Sequence, residues 1–91
     1  MIPVDLDAAW DVHPQVSIRP EPFGALLYHF GTRKLSFLKD RTLLAAVESL
    51  AASASVRAAF ASAGIPDGEI PRYHAALGTL AASSMVIERK P

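Results

Sequence analysis

The sequence predicts an α+β domain, a three-stranded antiparallel sheet followed by three helices in a winged helix-turn-helix-like arrangement. Two periodicities carry this reading. Over residues 16–19 and 34–38 apolar residues alternate with polar ones, and between Leu43 and Ala81 they recur at every third or fourth position; these are the periods of a half-buried strand and of an amphipathic helix. A third observation fixes the boundary, because the period changes at Asp40, a residue type favoured at helix N-caps. Elements segregated in this order place their helices on one face of the sheet.

Residues 1–15 have no clear period and read as an extended lead-in anchored by Trp10. Val16-Ser17-Ile18-Arg19 alternates, putting Val16 and Ile18 on one strand face, and Pro20 and Pro22 are expected to stop it. A second strand is predicted over residues 25–30, apolar and aromatic, ending at the turn pair Gly31-Thr32. The third covers residues 34–38, with Leu35 and Phe37 on one face, and follows closely enough to form a hairpin.

From about Asp40 to Ala52 the apolar positions Leu43, Leu44, Val47, Leu50 and Ala51 share one helical face. Ser53 or Ser55 can cap a short second helix carrying Val56, Ala59, Phe60 and Ala63, and Gly64 suits its left-handed ending. Pro71 is tolerable only in a first turn, so a third helix starts near Gly68 with the stripe Ile70, Tyr73, Leu77, Leu80 and Ala81. Met85-Val86-Ile87 can add an extended segment, and residues 88–91 read as a frayed end. The expected organisation is one domain over residues 16–87.

Composition narrows the function. The 91 residues hold nine basic and nine acidic side chains, so no global field draws the chain onto nucleic acid or an anionic membrane. There are no cysteines, which excludes disulfides, thiolate metal sites and a cysteine nucleophile. The start of the chain carries Asp5 and Asp7 instead of a basic and apolar signal, and no run approaches the roughly 20 apolar residues that span a bilayer. A soluble, cytoplasmic protein is expected.

No catalytic constellation stands out. His13, His29 and His74 fall on three different predicted elements without ligand spacing, and no metal or cofactor is expected. Ser53, Ser55, Ser83 and Ser84 fit caps and helix ends better than a nucleophile elbow, and Asp5, Asp7 and Asp11 lack the glycine and glutamate of a calcium loop. Arg19 and Glu21 read as a turn-stabilising ion pair or a partner contact.

The stretch Val16-Ser17-Ile18-Arg19-Pro20-Glu21-Pro22-Phe23-Gly24-Ala25-Leu26-Leu27-Tyr28 resembles the start of PqqD-like peptide chaperones, RiPP recognition elements of winged-helix type. His13-Pro14-Gln15-Val16, the run from Pro22 through Phe30, and Leu35-Ser36-Phe37-Leu38 resemble the mycofactocin precursor-peptide chaperones in particular. The similarity extends from about Trp10 to Val86 and is densest between Arg19 and Leu38. It implies a non-enzymatic adaptor that binds a ribosomal precursor peptide and delivers it to a radical SAM maturase, whose iron–sulfur chemistry stays with that partner.

The resemblance also implies a site. In such domains the peptide adds as a strand beside the third strand, against the third helix; here that assigns Lys34, Leu35, Ser36, Phe37 and Leu38 from the strand and Tyr73, Ala76, Leu77 and Leu80 from the helix. Arg33, Lys34 and Arg72 are then candidates for charge recognition at the rim, suited to an acidic peptide. An edge strand supports this physically, since its free amides and carbonyls are satisfied by an incoming strand. The plainer reading keeps Leu35, Phe37, Tyr73, Leu77 and Leu80 as core.

Two other classes compete. Winged-helix folds often read DNA, but the third helix offers only Arg72 before Arg89 and Lys90, too little charge for phosphate contacts. A dimerisation module also fits, because an unfilled edge pairs with a second copy and a short hinge permits swapping, so a homodimer is a further expectation.

Overall fold

A computed structural model describes residues 3–89. Its five strands and three helices form two antiparallel sheets and a helical layer, the α+β class expected from the sequence. The strands are β1 (Trp10–Val12), β2 (Val16–Glu21), β3 (Gly24–His29), β4 (Leu35–Leu38) and β5 (Val86–Glu88). The helices are α1 (Arg41–Ser49), α2 (Val56–Ser62) and α3 (Ile70–Ala82), with 3₁₀ turns at Leu50–Ala52 and Asp67–Glu69.

The larger sheet has the order β2-β3-β4. A two-residue turn of Pro22 and Phe23 joins β2 to β3, with Glu21 opposite Gly24. Gly24 has φ +148, and a Cβ there would collide with the Leu38 carbonyl oxygen, so only glycine lets β4 lie this close. Contrary to expectation, Pro20 does not end β2. Phe30 N–H donates to the Gln15 carbonyl, and hydrogen-bonded positions alternate along an antiparallel strand. The bonded residues are therefore Gln15, Ser17, Arg19 and Glu21, and Pro20 sits where its missing N–H faces the open edge.

Alternation also sorts the side chains. Ala25, Leu27, His29 and Leu38 are buried on the inner face, whereas Leu26 and Tyr28 are only half-buried on the outer face. The core beneath the inner face is built from Val47, Leu50, Val56, Phe60, Leu77, Met85 and Val86, each at most 1% exposed. Capping follows the sequence signals. Asp40 Oδ1 accepts from Thr42 N–H (2.8 Å) and Leu43 N–H (3.2 Å), and Ser55 Oγ accepts from Ala58 N–H (3.1 Å). Gly64, at φ +78, ends α2 with Ile65 N–H returned to the Phe60 carbonyl. Ser84 takes the equivalent left-handed position after α3, with Met85 N–H donating to the Leu80 carbonyl.

The chain ends are more structured than the sequence suggested. Trp10, 3% exposed, lies in β1, which pairs with β5 in the register Trp10↔Glu88 to Val12↔Val86. The preceding segment is tied to α2, where Val56 and Arg57 N–H donate to the Ala8 and Leu6 carbonyls. Glu88 and Arg89, read above as frayed, are held. Arg89 N–H donates to the Ala9 carbonyl, and its guanidinium donates to the carbonyls of Leu50 (2.8 Å), Trp10 (3.2 Å) and Ala51 (3.3 Å). A cation with five donors at carbonyls left over from a helix end is favourable, and no residue spacing announces such a long-range partner. Lys90 and Pro91, like Met1 and Ile2 of the lead-in, lie outside the described residues.

Arg89→Ala is expected to lower stability by about 1–2 kcal/mol, chiefly through the Trp10 and Ala51 carbonyls it leaves without that donor, since the Leu50 carbonyl still accepts from Ser53 N–H. Urea denaturation of the two proteins checks this; an unchanged midpoint would show that water satisfies those carbonyls equally well.

Candidate functional site

β4 is the edge of its sheet, and its register decides what it offers. Opposite pairs run Ala25↔Leu38, Leu26↔Phe37, Leu27↔Ser36 and Tyr28↔Leu35. The hairpin before it closes with Arg33 at φ +61, Arg33 N–H donating to the His29 carbonyl, and His29 N–H donating to the Lys34 carbonyl. Because bonded positions alternate, Lys34, Ser36 and Leu38 pair with β3, and the amides and carbonyls of Leu35 and Phe37 point to the open edge. The opposite edge of the sheet is blunted by Pro20 and by Val16, whose N–H already donates to the His13 carbonyl.

Beside the open edge lies a trough of about 330 Å³ lined by Ser36, Phe37 and Leu38 of β4, Leu43 of α1, and Ala76, Thr79 and Leu80 of α3. This trough lies between β4 and α3, and it divides the residues assigned there from the sequence. Ser36, Phe37, Leu38, Ala76 and Leu80 line it. Leu35 does not: its side chain is 51% exposed on the outer sheet face, and that of Phe37, 57% exposed, also belongs to the outward row. Tyr73 and Leu77, 6% and 1% exposed, are core residues beneath the trough, as the plainer reading held. Arg33 and Lys34 are exposed in the hairpin that opens β4. Thr79 and Leu43 were missed. Thr79 stands one helical turn after Ala76 but is polar, so a search for apolar stripes passes over it, and Leu43 was absorbed into the α1 core stripe.

Arg72 is engaged elsewhere. Its guanidinium donates to Asp40 Oδ2 (3.2 Å) and Glu69 Oε1 (3.0 Å), and Tyr73 O–H donates to the same Asp40 oxygen (3.0 Å). One carboxylate thus caps α1 and pins α3 to the end of β4, fixing the two walls of the trough relative to each other. Burial works against ionisation of Asp40, but hydrogen bonds from Leu43, Tyr73 and Thr42 and the charge of Arg72 outweigh it and hold the carboxyl below its ordinary 3.8. Burial, then the bond to Asp40, pushes the Tyr73 phenol up.

A wider cleft, about 570 Å³, lies on the other flank of α3 between Pro3, Val4, Pro71, His74, Ala75, Gly78 and Ala82, and shares Thr79 with the trough. It has no strand edge and so offers an extended chain little backbone pairing. His13 and His29 come from different elements but meet, ring centroids 4.4 Å apart. His29 is buried, and its Nδ1 accepts from Gly31 N–H (3.0 Å) and Thr32 N–H (3.1 Å), which shapes the β3–β4 hairpin. Among the described residues no group of three or more metal-ligating side chains converges, and no helix is long and apolar enough to cross a membrane.

An open strand edge next to an apolar trough on a helix is the geometry through which compact domains bind extended peptides. The chain belongs to the Peptide chaperone MftB family, which matches residues 9–87. It is 56% identical over 86 residues to the peptide chaperone MftB of Mycobacterium tuberculosis, covering 94% of this chain and 79% of that protein. With the MftB of Mycobacterium ulcerans it shares 57% identity over the same coverage, and with that of Mycolicibacterium smegmatis 52% over 99% of this chain and 88% of the relative. No solved structure gives a significant match.

The depressed acidity of Asp40 sets a pH dependence. Its contribution to stability is fully present above the unfolded value near 3.8 and is lost as the pH falls through the lower folded value. Asp40→Ala is expected to cost about 1 kcal/mol or more at neutral pH through the lost cap and to flatten the fall in stability below about pH 4. Denaturant midpoints measured across that range check both effects; a variant that loses stability in acid as steeply as the parent would assign the acid response to other carboxylates.

Proposed function

We propose that this chain is a non-enzymatic peptide chaperone of mycofactocin biosynthesis, which takes up a ribosomally made precursor peptide as an added strand on β4 and presents it to a radical SAM maturase. The observation that carries this reading is the asymmetry of the sheet, one edge blunted by Pro20 and Val16 and the other left open beside the trough. The names of its relatives as peptide chaperones support it.

Recognition divides into two parts. Each backbone hydrogen bond to Leu35 or Phe37 contributes about 0.5–1.5 kcal/mol net and is indifferent to peptide sequence. Selectivity comes from the inward side chains of the peptide, which alternate into the trough between Leu38, Leu43, Ala76 and Leu80. Arg33 and Lys34, which make no ion pair among the described residues, favour carboxylates on the peptide. Arg72 contributes less than the sequence implied, because Asp40 and Glu69 already neutralise it. With no nucleophile, base and orienting group assembled among the described residues, the chain's part is to extend and hold the peptide, and the covalent change belongs to the maturase.

Proline at an outward-facing edge position removes one donor while sparing the native ladder. Leu35→Pro is therefore expected to weaken precursor-peptide binding about tenfold, the loss of roughly one hydrogen bond, whereas Leu35→Ser, which keeps the N–H, leaves it nearly unchanged. Calorimetry with the precursor peptide, with melting curves for both variants, tests this. Equal affinities for the proline and serine variants would rule out strand addition at β4.

A further inference from the structure

Across β3 and β4 the outer face of the larger sheet is apolar where a solvated sheet face is ordinarily polar; the row beside it on β2, Ser17, Arg19 and Glu21, is polar. Among the described residues, the exposed large hydrophobic side chains Phe23 (45%), Phe30 (61%), Leu35 (51%) and Phe37 (57%) all lie on this sheet or its turns, and only Ile87 (36%) lies elsewhere. They are contiguous. Phe23 and Phe37 have ring centroids 6.5 Å apart, Phe37 is opposite Leu26, Leu35 is opposite Tyr28, and Tyr28 meets Phe30 edge to face at 4.9 Å. Nothing in the core requires aromatic residues here, because the inner face of the same strands already supplies Ala25, Leu27 and Leu38. Clustered exposed aromatics of this kind mark interaction surfaces.

Charge selects the occupant. The neutral chain is polarised: residues 16–41 hold Arg19, Arg33, Lys34, Lys39 and Arg41 against Glu21 and Asp40, five cations to two carboxylates, a net +3 that leaves −3 for the remainder. An isologous dimer through this face would set a cationic sheet against its own copy, and like charges across an interface are unfavourable. A surface with apolar side chains and an acidic border is complementary.

We propose that the outer face of the sheet, formed by Phe23, Leu26, Tyr28, Phe30, Leu35 and Phe37, is a second docking surface that takes a protein partner presenting an apolar patch bordered by carboxylates. Resting on the function proposed above, that partner is the modifying enzyme. The two surfaces meet along β4. A peptide added at that edge alternates its side chains between the faces, so its outward side chains extend the same apolar row. The enzyme then contacts the chaperone and the outward half of the peptide together, and peptide and enzyme each strengthen the binding of the other by the same factor.

The test compares the full chain with the double variant Phe23→Ser/Phe30→Ser, whose positions do not line the trough, in titrations with the purified radical SAM enzyme, with and without precursor peptide. The double variant is expected to keep the parent's peptide affinity, which also reports its fold, and to lose at least about tenfold in enzyme affinity. Parent binding to the enzyme is expected to tighten with peptide and to weaken at high salt. Retained enzyme binding by the double variant would overturn the surface and leave the proposed function intact. Absence of parent–enzyme binding, with or without peptide, would overturn both this inference and the presentation step, leaving peptide uptake standing. Loss of peptide binding by a folded double variant would assign the face to the peptide site, and parent self-association abolished by the double variant would assign it to a second copy; either overturns the proposal.

Discussion

The register of β4 against β3 governs every part of the proposed functional surface, because one choice of register settles both which backbone groups face outward and which side chains face the helices. A slip by one residue would bury Leu35 and Phe37 and expose Ser36 and Leu38. Two local devices hold it. Arg33 accepts a left-handed conformation to close the hairpin, and the buried His29 ring accepts two loop amides through Nδ1. At the other end of the strand, only a glycine at position 24 leaves room for the Leu38 carbonyl. The hairpin is over-determined at both ends, which suits a strand whose free edge must stay in place while unpaired.

The rest of the molecule fixes that strand relative to α3. Asp40 links the end of β4, the first turn of α1 and the side chains of Arg72 and Tyr73 on α3. On the far side the chain ends are joined by β1 and β5, with the Arg89 guanidinium spanning carbonyls from Trp10 to Leu50. A trough between a strand and a helix keeps its width only when both walls are anchored, and here polar contacts at the ends complement the apolar core between them.

Periodicity made most of the fold legible. The three strands of the larger sheet, the three helices, the caps Asp40 and Ser55 and the ending at Gly64 all follow from local spacing, which reports local structure. What escaped was non-local. Trp10–Val12 has too few residues to show a period, and its strand exists because β5 pairs with it from the other end of the chain. Pro20 signals a strand end by propensity, and only the knowledge that β2 is an edge reverses that reading. For the proposed site, the resemblance pointed to a strand and a helix that flank a trough, but not to their faces. Helical spacing groups Tyr73, Leu77 and Leu80 with Ala76, yet a stripe wide enough to touch both core and trough must be divided by packing, which buries all three large side chains in the core and leaves only Leu80 and the half-buried Ala76 also lining the trough.

An exposed edge is a hazard unless something distinguishes the intended strand from another copy of the same one. Here the flanks of β4 make that distinction. Arg33 and Lys34 precede the strand and Lys39 follows it, all exposed. Two copies of β4 paired antiparallel about Ser36, with Leu35 of each opposite Phe37 of the other, would bring Arg33 of each beside Lys39 of the other, so self-pairing gathers like charges at both ends. An acidic peptide added to the same edge places carboxylates in those positions. Backbone bonds are alike in the two cases, so the difference between them rests on the sign of the charge that the arriving strand carries. On the proposed strand addition, the same cations that discourage dimerisation through β4 would favour an acidic peptide, and specificity at an edge that reads no sequence through its backbone would be obtained from its ends.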